Sequence, residues 1–305
     1  MAAGAIIGAA EASRLLLDGG IVALPTETVY GLAARADDAS AIAAIYRLKG
    51  RPAFNPLIVH VPNREAADAL AVLNPLAREL AEAYWPGPLT LVLPRQEGAP
   101  VARAASAGLG TIAIRVPAHP IMQQVLRMTG LPLAAPSANR SNAVSPTRPG
   151  HVRRSFGAAT PPIVDGGACE AGLESTIIAV DDGWRLLRAG PIDADTLVQR
   201  FGPPAKSRGA TVEAPGQLER HYSPGKPMRL NATTPRTGEV LIGFGPVAGD
   251  LQLSATGDLA EAAAALYDVL HRAADTDAQS IAVAPIPDGG LGAAINDRLR
   301  RAATR

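Results

Sequence analysis

The segment from Lys49 to His60, Lys-Gly-Arg-Pro-Ala-Phe-Asn-Pro-Leu-Ile-Val-His, gathers side chains that can bind an anion. Lys49 and Arg51 stand on either side of a glycine, and both side chains offer only hydrogen-bond donors. Asn55 can donate and accept. An apolar run that predicts a buried strand follows, and His60 faces the side of that strand that its two valine neighbours do not. Because these groups lie between a predicted helix and a core strand, the sequence predicts an anion site, with a satisfied core histidine as the alternative for His60.

A second cation lies inside an apolar strand, at residues 111–116. With a period of two, Thr111, Ala113 and Arg115 share one face of this strand. A buried guanidinium is costly unless it is paired. The pattern therefore allows either a structural ion pair or the binding of a substrate carboxylate by Arg115.

Two polar segments follow other predicted strands. Glu27 and Thr28 come directly after the first strand, where α/β sheets bind ligands, although the same side chains would also suit a helix cap. Ser137, Asn139 and Ser145 lie in a Ser/Asn-rich stretch whose small side chains let backbone N–H groups approach an anion. An ordinary polar turn is the simpler interpretation of that stretch.

Three further residues complete the polar set. Ser175 opens a strand after a Gly-rich segment, and Arg188 ends the strand predicted to pair with it. Tyr222 follows Arg220 and His221 in a stretch rich in Pro and Gly, where an aromatic ring could close over a bound base by stacking.

Apolar runs alternate with Ala-rich helical patterns, which indicates an α/β or α+β fold. Short links favour hairpins, so we expect a twisted, open mixed sheet flanked by helices. Strands are predicted at 21–25, 57–61, 89–93, 111–116, 131–135, 175–180 and 184–188, and helices at 39–48, 64–72, 75–84, 118–128 and 193–200. A β-α-β-α order after residue 238 predicts a smaller, Rossmann-like α/β unit. The predicted organisation is a domain at 1–203, an ordered linker at 204–228 and a small domain at 229–305.

Composition limits the classes of function. The 305 residues carry a formal net charge of +1, so no global field would attract nucleic acid. The single cysteine, Cys169, excludes an intrachain disulfide and fits a reducing cytoplasm. No phosphate loop of the type G-x-x-x-x-G-K-[ST] and no zinc-ligand spacing is present. The N-terminal residues lack the pattern of a signal peptide and no apolar run would span a bilayer, so we expect a cytoplasmic protein without membrane contact.

Taken together, these segments resemble the threonylcarbamoyl-AMP synthase family over nearly the whole chain. The resemblance rests on PTETVYGL, Lys49-Gly-Arg51, the following NPL, TIAIRVP, PSAN and LESTII, which match the YrdC-like catalytic domain. HYSPG and IPDGGLGAAINDRLRRAA resemble the linker and C-terminal domain of the longer members. Each motif alone is weak, whereas the ordered set is specific.

The resemblance implies a reaction. Such enzymes condense L-threonine, bicarbonate or CO2, and ATP into L-threonylcarbamoyl-adenylate and release pyrophosphate. A partner threonylcarbamoyl transferase then modifies the adenosine beside the anticodon of tRNA. Mg²⁺ is expected to arrive with ATP, held by phosphates and water rather than by protein ligands.

The resemblance also implies roles for the polar residues. Lys49 and Arg51 would be catalytic and would hold ATP phosphates. The threonine-binding set would be Thr28, His60, Arg115 and Ser175. The remaining ATP-binding residues would be Asn55, Thr111, Ser137, Asn139, Ser145, Arg188 and Tyr222.

Two other functions are compatible with the same fold. A YrdC-like domain has a basic concave surface that would suit a non-catalytic RNA-binding module, and weak RNA binding is also compatible with the synthase. A carbamoyl transferase acting on a different acceptor is the second alternative. Pyrophosphate release that depends on threonine and bicarbonate distinguishes the synthase from both.

Overall fold

The computed structural model describes residues 2–206, 213–215 and 221–304 of the chain. The strands are β1 (Val22–Leu24), β2 (Gly31–Arg35), β3 (Ile58–His60), β4 (Leu89–Pro94), β5 (Thr111–Arg115), β6 (Leu133–Ala134), β7 (Thr176–Val180), β8 (Trp184–Arg188), β9 (Met228–Arg229), β10 (Glu239–Gly243), β11 (Leu251–Gln252) and β12 (Ser280–Val283). The helices are α1 (Ala9–Leu17), α2 (Ala39–Lys49), α3 (Arg64–Asp68), α4 (Pro75–Tyr84), α5 (Pro120–Thr129), α6 (Pro149–Phe156), α7 (Ala194–Phe201), α8 (Leu259–Asp275) and α9 (Leu291–Ala303).

The first eight strands form one sheet in the order β1-β2-β6-β3-β5-β4-β7-β8. The pairs β3–β5 and β4–β7 are parallel, and the other neighbouring pairs are antiparallel. The prediction of a mixed sheet flanked by helices is therefore confirmed. Antiparallel pairs can be joined by short links, which explains how a short turn connects β7 to β8.

Alternation along the strands gives the sheet two different faces. Val59, Ile112 and Ile114 contribute to the main core, which also holds apolar residues of α2 and α4. Ile58 and Ala113 face the other way and join a smaller cluster that includes Ala214. Because side chains alternate with a period of two, His60 and Arg115 lie on the same face as this smaller cluster.

Helix α2 shows how the sequence sets the position of the first site segment. The Asp38 carboxylate caps the helix by accepting hydrogen bonds from the backbone N–H groups of Ser40 and Ala41. At the other end Gly50 adopts the left-handed conformation, with φ 61° and ψ 37°, which glycine tolerates best. The helix therefore stops between Lys49 and Arg51, and the two cations leave the turn in different directions.

The remaining four strands form a parallel sheet in the order β11-β10-β12-β9. This confirms the smaller C-terminal α/β unit. The last helix before it, α7, ends at Phe201, and its first strand begins at Met228. The boundaries 1–203, 204–228 and 229–305 stay a prediction, because residues 207–212 and 216–220 of the predicted linker, with Arg220, lie outside the described residues.

The two units are packed tightly against each other. Gly172 of the first unit has φ 67°, and a Cβ atom added there would come within 2.4 Å of the Ala263 carbonyl oxygen on α8. Only glycine allows this approach without displacing backbone. At the same interface Arg148 pairs with Asp268 at 2.9 Å, and the rings of His151 and His271 stack 3.9 Å apart.

Several elements lie outside the predictions. α1, α6, β2, β9 and β11 were not expected, and α3 ends at Asp68 rather than at residue 72. Within the described part of the chain, none of the helices has the length and apolarity that a bilayer crossing requires.

Candidate active site

One pocket collects the polar ends of four strands. β3 and β5 are parallel, and their register places His60 beside Arg115. β5 is antiparallel to β4 and β7 is parallel to β4, so the end of β5, the start of β7 and the end of β8 meet at one edge. The pocket is lined by Thr26, Thr28, Val29, Gly31, Arg51, Ile58, His60, Arg115, Ala135, Pro136, Ser137, Glu174, Ser175, Arg188, Pro215, His221 and Tyr222.

Arg115 is buried and held on three sides. Its Nε donates to the Gly87 carbonyl at 3.1 Å, Nη1 to Thr28 Oγ1 at 2.8 Å and Nη2 to Glu27 Oε1 at 2.6 Å. A guanidinium has five N–H groups, so one remains on each terminal nitrogen. Arg115 therefore forms the structural ion pair that the sequence allowed, and it also lines the pocket, whereas its binding of a substrate carboxylate stays a prediction.

Glu27 stays ionised beside Arg115. Burial alone would raise the pKa of its carboxyl, but the charge and hydrogen bond of Arg115 outweigh burial and lower the pKa below the ordinary value. Its second oxygen, Oε2, is buried without a hydrogen-bond partner in the part of the chain that the structure describes. The carboxylate therefore orients the arginine and keeps one acceptor unused.

His60 is a neutral side chain in this setting. It is 2% exposed, and burial, with the nearby Arg115 charge, lowers its pKa to about 3. Its Nδ1 atom is buried and has no hydrogen-bond partner among the described residues. An uncharged imidazole with an unpartnered nitrogen suits a hydrogen bond to a ligand, whereas so low a pKa makes it a weak base.

Arg51 is fixed by the segment that follows it. Its Nη2 donates to Asn55 Oδ1 at 2.6 Å and to the Pro56 carbonyl at 2.9 Å, and its Nε donates to the Asn55 carbonyl at 3.2 Å. Burial lowers the pKa of the Arg51 guanidinium to about 10, with the Arg188 charge contributing. The side chain still carries a proton near neutral pH, and it lines the pocket.

Arg188 approaches the pocket from β8. Its Nε and Nη2 donate to the Ser175 carbonyl at 3.1 and 2.9 Å, and Nη2 also reaches Ser175 Oγ at 3.1 Å. The Ser175 hydroxyl lies 2.7 Å from that of Thr90. Arg51 and Arg188 thus place two buried cations on one pocket, an arrangement that suits an anion with several negative oxygens.

The Lys49 side chain points away from Arg51 and binds a different segment of the chain, at residues 137–139. Its Nζ donates to the carbonyl groups of Ser137 and Asn139, both at 2.5 Å. Burial, with the Arg51 charge, lowers the pKa of Lys49 well below its ordinary value. This lysine fixes the 137–139 turn beside the pocket.

Tyr222 reaches the pocket from the chain between the two sheets. It is 1% exposed and has φ 64°. Its ring stacks on Tyr267 of α8, with 5.6 Å between centroids. Tyr222 therefore belongs both to the pocket wall and to the interface with the C-terminal unit.

The structure brings most of the predicted residues together. The predicted residues that line the pocket are Thr28, Arg51, His60, Arg115, Ser137, Ser175, Arg188 and Tyr222. Those that do not line it are Lys49, Asn55, Thr111, Asn139 and Ser145. Lys49 and Asn55 support the pocket through the contacts described above. Thr111 lies at the start of β5, four residues or about 13 Å from Arg115.

Asn139 and Ser145 are buried close to the pocket without lining it. Asn139 Nδ2 donates to the Ala143 carbonyl at 2.8 Å, and its Oδ1 has no hydrogen-bond partner. The Ser145 hydroxyl donates to Glu174 Oε1 at 2.6 Å. Their predicted contacts with ATP stay predictions.

Some residues at the pocket have no role in the predictions from the sequence. Glu174 lines the pocket, and its carboxylate is bound by Tyr267 and Arg298 from the C-terminal unit. These partners are 93 and 124 residues away along the chain. Glu174 and Arg298 occur in segments that resemble the family, whereas Tyr267 does not. Spacing gives no information over such distances.

The donors in the pocket suit phosphate better than a protein-bound metal ion. Among the described residues, no group of three or more His, Cys, Asp or Glu side chains lies close enough together to hold a metal. Glu174 accepts from three donors, and Glu27 is paired with Arg115. Mg²⁺ prefers several oxygen ligands, whereas these two carboxylates are engaged by arginines and hydroxyl groups. The arrival of Mg²⁺ with ATP stays a prediction.

Two family models match the chain. Residues 14–190 match the family described as telomere recombination, which covers the Sua5, YciO and YrdC proteins. Residues 186–304 match the C-terminal domain of threonylcarbamoyl-AMP synthase. The two matches together account for both units of the fold.

Relatives match over nearly their full length. The threonylcarbamoyl-AMP synthase of Bacillus subtilis is 37% identical, over 96% of this chain and 92% of that protein, and that of Pyrococcus abyssi is 37% identical, over 95% and 92%. The crystal structure of P. abyssi Sua5 complexed with L-threonine has a TM-score of 0.88 at 35% identity and covers 97% of this chain and 94% of that one. This chain, with its pocket and its two units, therefore belongs to the threonylcarbamoyl-AMP synthase family.

Proposed function

We propose that this protein is an L-threonylcarbamoyladenylate synthase, which converts L-threonine, CO2 or bicarbonate, and ATP into threonylcarbamoyl-AMP and pyrophosphate. One observation carries the proposal. A single pocket combines an arginine fork with two unused N–H groups, at Arg115, and two further buried arginines, Arg51 and Arg188. The N–H groups of Arg115 suit an amino-acid carboxylate, and Arg51 and Arg188 suit a polyphosphate.

The Arg115 end has the groups that threonine requires. The two remaining N–H groups of the guanidinium can bind both oxygens of a carboxylate. Thr28 supplies a hydroxyl there, and His60 supplies a neutral nitrogen without a partner. The match to P. abyssi Sua5 complexed with L-threonine supports the same amino acid as ligand.

The Arg51 end has the groups that ATP requires. Arg51 and Arg188 both line the pocket, and the bonds that fix them engage Nε and Nη2 of each side chain. Ser137 contributes a small polar residue to the pocket wall, and the Tyr222 ring offers a surface on which the adenine base could stack. Lys49 would act by fixing the 137–139 turn.

This arrangement fits a reaction that needs no protein nucleophile. The amine nitrogen of threonine forms a bond to the carbon of CO2 and releases a proton, which gives a carbamate. A carbamate oxygen then attacks the α-phosphorus of ATP, and the bond to pyrophosphate breaks with its electron pair. Arg51 and Arg188 would stabilise negative charge at the phosphates, and Arg115 and His60 would orient the amino acid.

Other parts of the function follow as proposals. Mg²⁺ would come with ATP, held by phosphates and water, and the engagement of Glu27 and Glu174 by arginines and hydroxyl groups supports this. The product would pass to a threonylcarbamoyl transferase that modifies tRNA. The single cysteine fits a reducing compartment, so we place the reaction in the cytoplasm.

The test is the release of pyrophosphate from ATP by the purified protein, measured with threonine and bicarbonate present or omitted singly. We expect release only in the complete mixture. Arg51→Ala should lower the rate at least about 100-fold, because a buried charged donor to phosphate is lost. Threonine binding, measured by calorimetry, should persist in that variant and so report an intact fold.

Arg47→Ala is the matched control, because Arg47 lies two residues before Lys49 on α2 and is exposed. It should leave the rate unchanged. Full activity of Arg51→Ala would contradict the assignment of the phosphate end. Failure of the wild-type protein to release pyrophosphate, together with tight RNA binding, would favour the RNA-binding module instead.

A further inference from the structure

The C-terminal unit places an arginine against the active-site pocket without lining it. Arg298 of α9 is 0% exposed. Its Nε donates to Glu174 Oε2 at 3.0 Å, Nη2 donates to the Ala189 carbonyl at 2.8 Å, and Nη1 donates to Asp297 at 2.8 Å. All three guanidinium nitrogens are therefore engaged.

Glu174 is a buried carboxylate on the wall of a pocket built for anions. It accepts from Ser145 at 2.6 Å, from Tyr267 at 2.7 Å and from Arg298. Burial would raise its pKa, but Arg298 first, then Arg188 and the two hydroxyl donors, hold the pKa at about 2. A negative charge there would repel phosphates unless it is compensated, and two of its three direct donors belong to the C-terminal unit.

The residues bound by Arg298 flank two pocket residues. Glu174 precedes Ser175, and Ala189 follows Arg188, while Arg188 itself donates to the Ser175 carbonyl. The backbone is closely packed here, because a Cβ on Gly190 would lie 2.6 Å from the Glu174 carbonyl oxygen. Arg298 thus binds the chain at the start of β7 and at the end of β8 from the side of the C-terminal unit.

We propose that Arg298, assisted by Tyr267, is a positioning residue for the nucleotide end of the pocket. It compensates the Glu174 charge and fixes the ends of β7 and β8, so that Arg188, which donates to the Ser175 carbonyl, is held in place for ATP. The C-terminal unit thereby completes a pocket whose lining residues belong to the first unit and to the chain between the two. This inference rests on the proposed function, since it concerns the same pocket.

The test uses the full-length Arg298→Met variant and the Glu174→Gln/Arg298→Met double variant. The single variant keeps the length of the side chain and leaves Glu174 uncompensated. We expect ATP binding at least about tenfold weaker, with KM for ATP rising more than KM for threonine. The double variant should recover a large part of the ATP affinity, because the buried negative charge has been removed as well.

The pH profile separates positioning from a loss of packing. Without Arg298, burial raises the pKa of Glu174, so its carboxyl takes up a proton as the pH falls. Relative to wild type, ATP affinity of the single variant should therefore improve from about pH 8 to about pH 5. A variant that is merely misfolded would show no such recovery. Arg300→Met, at an exposed position on the same helix, should behave like wild type.

The outcomes distinguish the inference from the proposed function. ATP affinity is measured by calorimetry and does not depend on turnover. Wild-type protein that binds ATP but releases no pyrophosphate contradicts the proposed function and leaves the Arg298 comparison valid. Unchanged ATP affinity in Arg298→Met, or a loss that neither the double variant nor lower pH restores, overturns the inference. Wild-type protein that binds no ATP overturns both.

Discussion

Arg115 shows why a buried arginine can be structural and functional together. Glu27 compensates its charge, and Thr28 and Gly87 fix the plane of its guanidinium. The bonds use one N–H on each nitrogen, and the two that remain are fixed in direction. Preorganised donors of this kind need no rearrangement when a carboxylate arrives.

Arg115→Lys tests this preorganisation. An ammonium keeps the charge, but its three N–H groups cannot replace the three existing bonds and also bind both oxygens of a carboxylate. We expect kcat/KM for threonine to fall about 10- to 100-fold, as expected for the loss of a hydrogen bond to a charged group, while KM for ATP changes little. Steady-state pyrophosphate release at varied threonine measures both.

Arg127→Lys serves as the control, because Arg127 is exposed on α5 and its nearest described polar contact is Gln123. Its kinetics should match wild type. An equal rise in KM for threonine and for ATP in Arg115→Lys would contradict the division of the pocket into two ends.

The sequence was informative about which residues form the pocket and less informative about what fixes them. Period-two alternation predicts correctly that His60 lies opposite its valine neighbours and that Arg115 shares a face with Ala113. It contains no information on the partner of either side chain. The Glu174–Arg298 pair depends on the packing of two units, which no local pattern describes.

The turn at the end of α2 sets the geometry of the phosphate end. Gly50 caps the helix in the left-handed region, so Lys49 faces the 137–139 turn while Arg51 enters the pocket. The two side chains are separated by one residue but bind different groups. The backbone conformation at Gly50 therefore determines the directions in which the Lys49 and Arg51 side chains leave the turn.

Gly50→Ala isolates that backbone requirement. A Cβ at Gly50 would meet nothing within 4 Å, so the cost comes from the left-handed conformation alone. We expect the free energy of unfolding in urea to fall by about 1–2 kcal/mol. Gly8→Ala is the matched control, since Gly8 also has open space but a φ of −85°. An equal loss in both variants would show that the left-handed turn is not the cause.

Elements with strong local signals were predicted with the correct bounds, and several short ones were not predicted. α4 and β8 have the predicted bounds, because each combines a clear apolar pattern with a clear start. β2 was missed because its sequence, Gly-Leu-Ala-Ala-Arg, contains no β-branched residue and follows polar residues that suggest a turn. β6, β9 and β11 have two residues each, and so short a strand is defined by its neighbours in the sheet.

The two units share buried polar contacts as well as an apolar interface. Val29, Leu173 and Tyr222 join the core cluster of the C-terminal unit, while Glu174 receives hydrogen bonds from α8 and α9. The domain order was predictable from composition and element order. The tightness of the interface was not, because it depends on a close backbone approach at Gly172 that the sequence records only as one glycine among 30.

Gly172→Ala tests whether the interface controls the pocket. The added Cβ would lie 2.4–2.6 Å from backbone atoms of Ala263 and Ala264, so α8 must move away and weaken the Tyr267 contact with Glu174. We expect about 1–3 kcal/mol less unfolding free energy from overpacking and weaker ATP binding, measured by urea titration and calorimetry. Gly98→Ala has a similar φ of 73° with nothing within 4 Å, so it should lose stability through backbone strain alone and keep its ATP affinity. If Gly172→Ala also kept full ATP affinity, the close approach of α8 would be a structural contact without influence on the pocket.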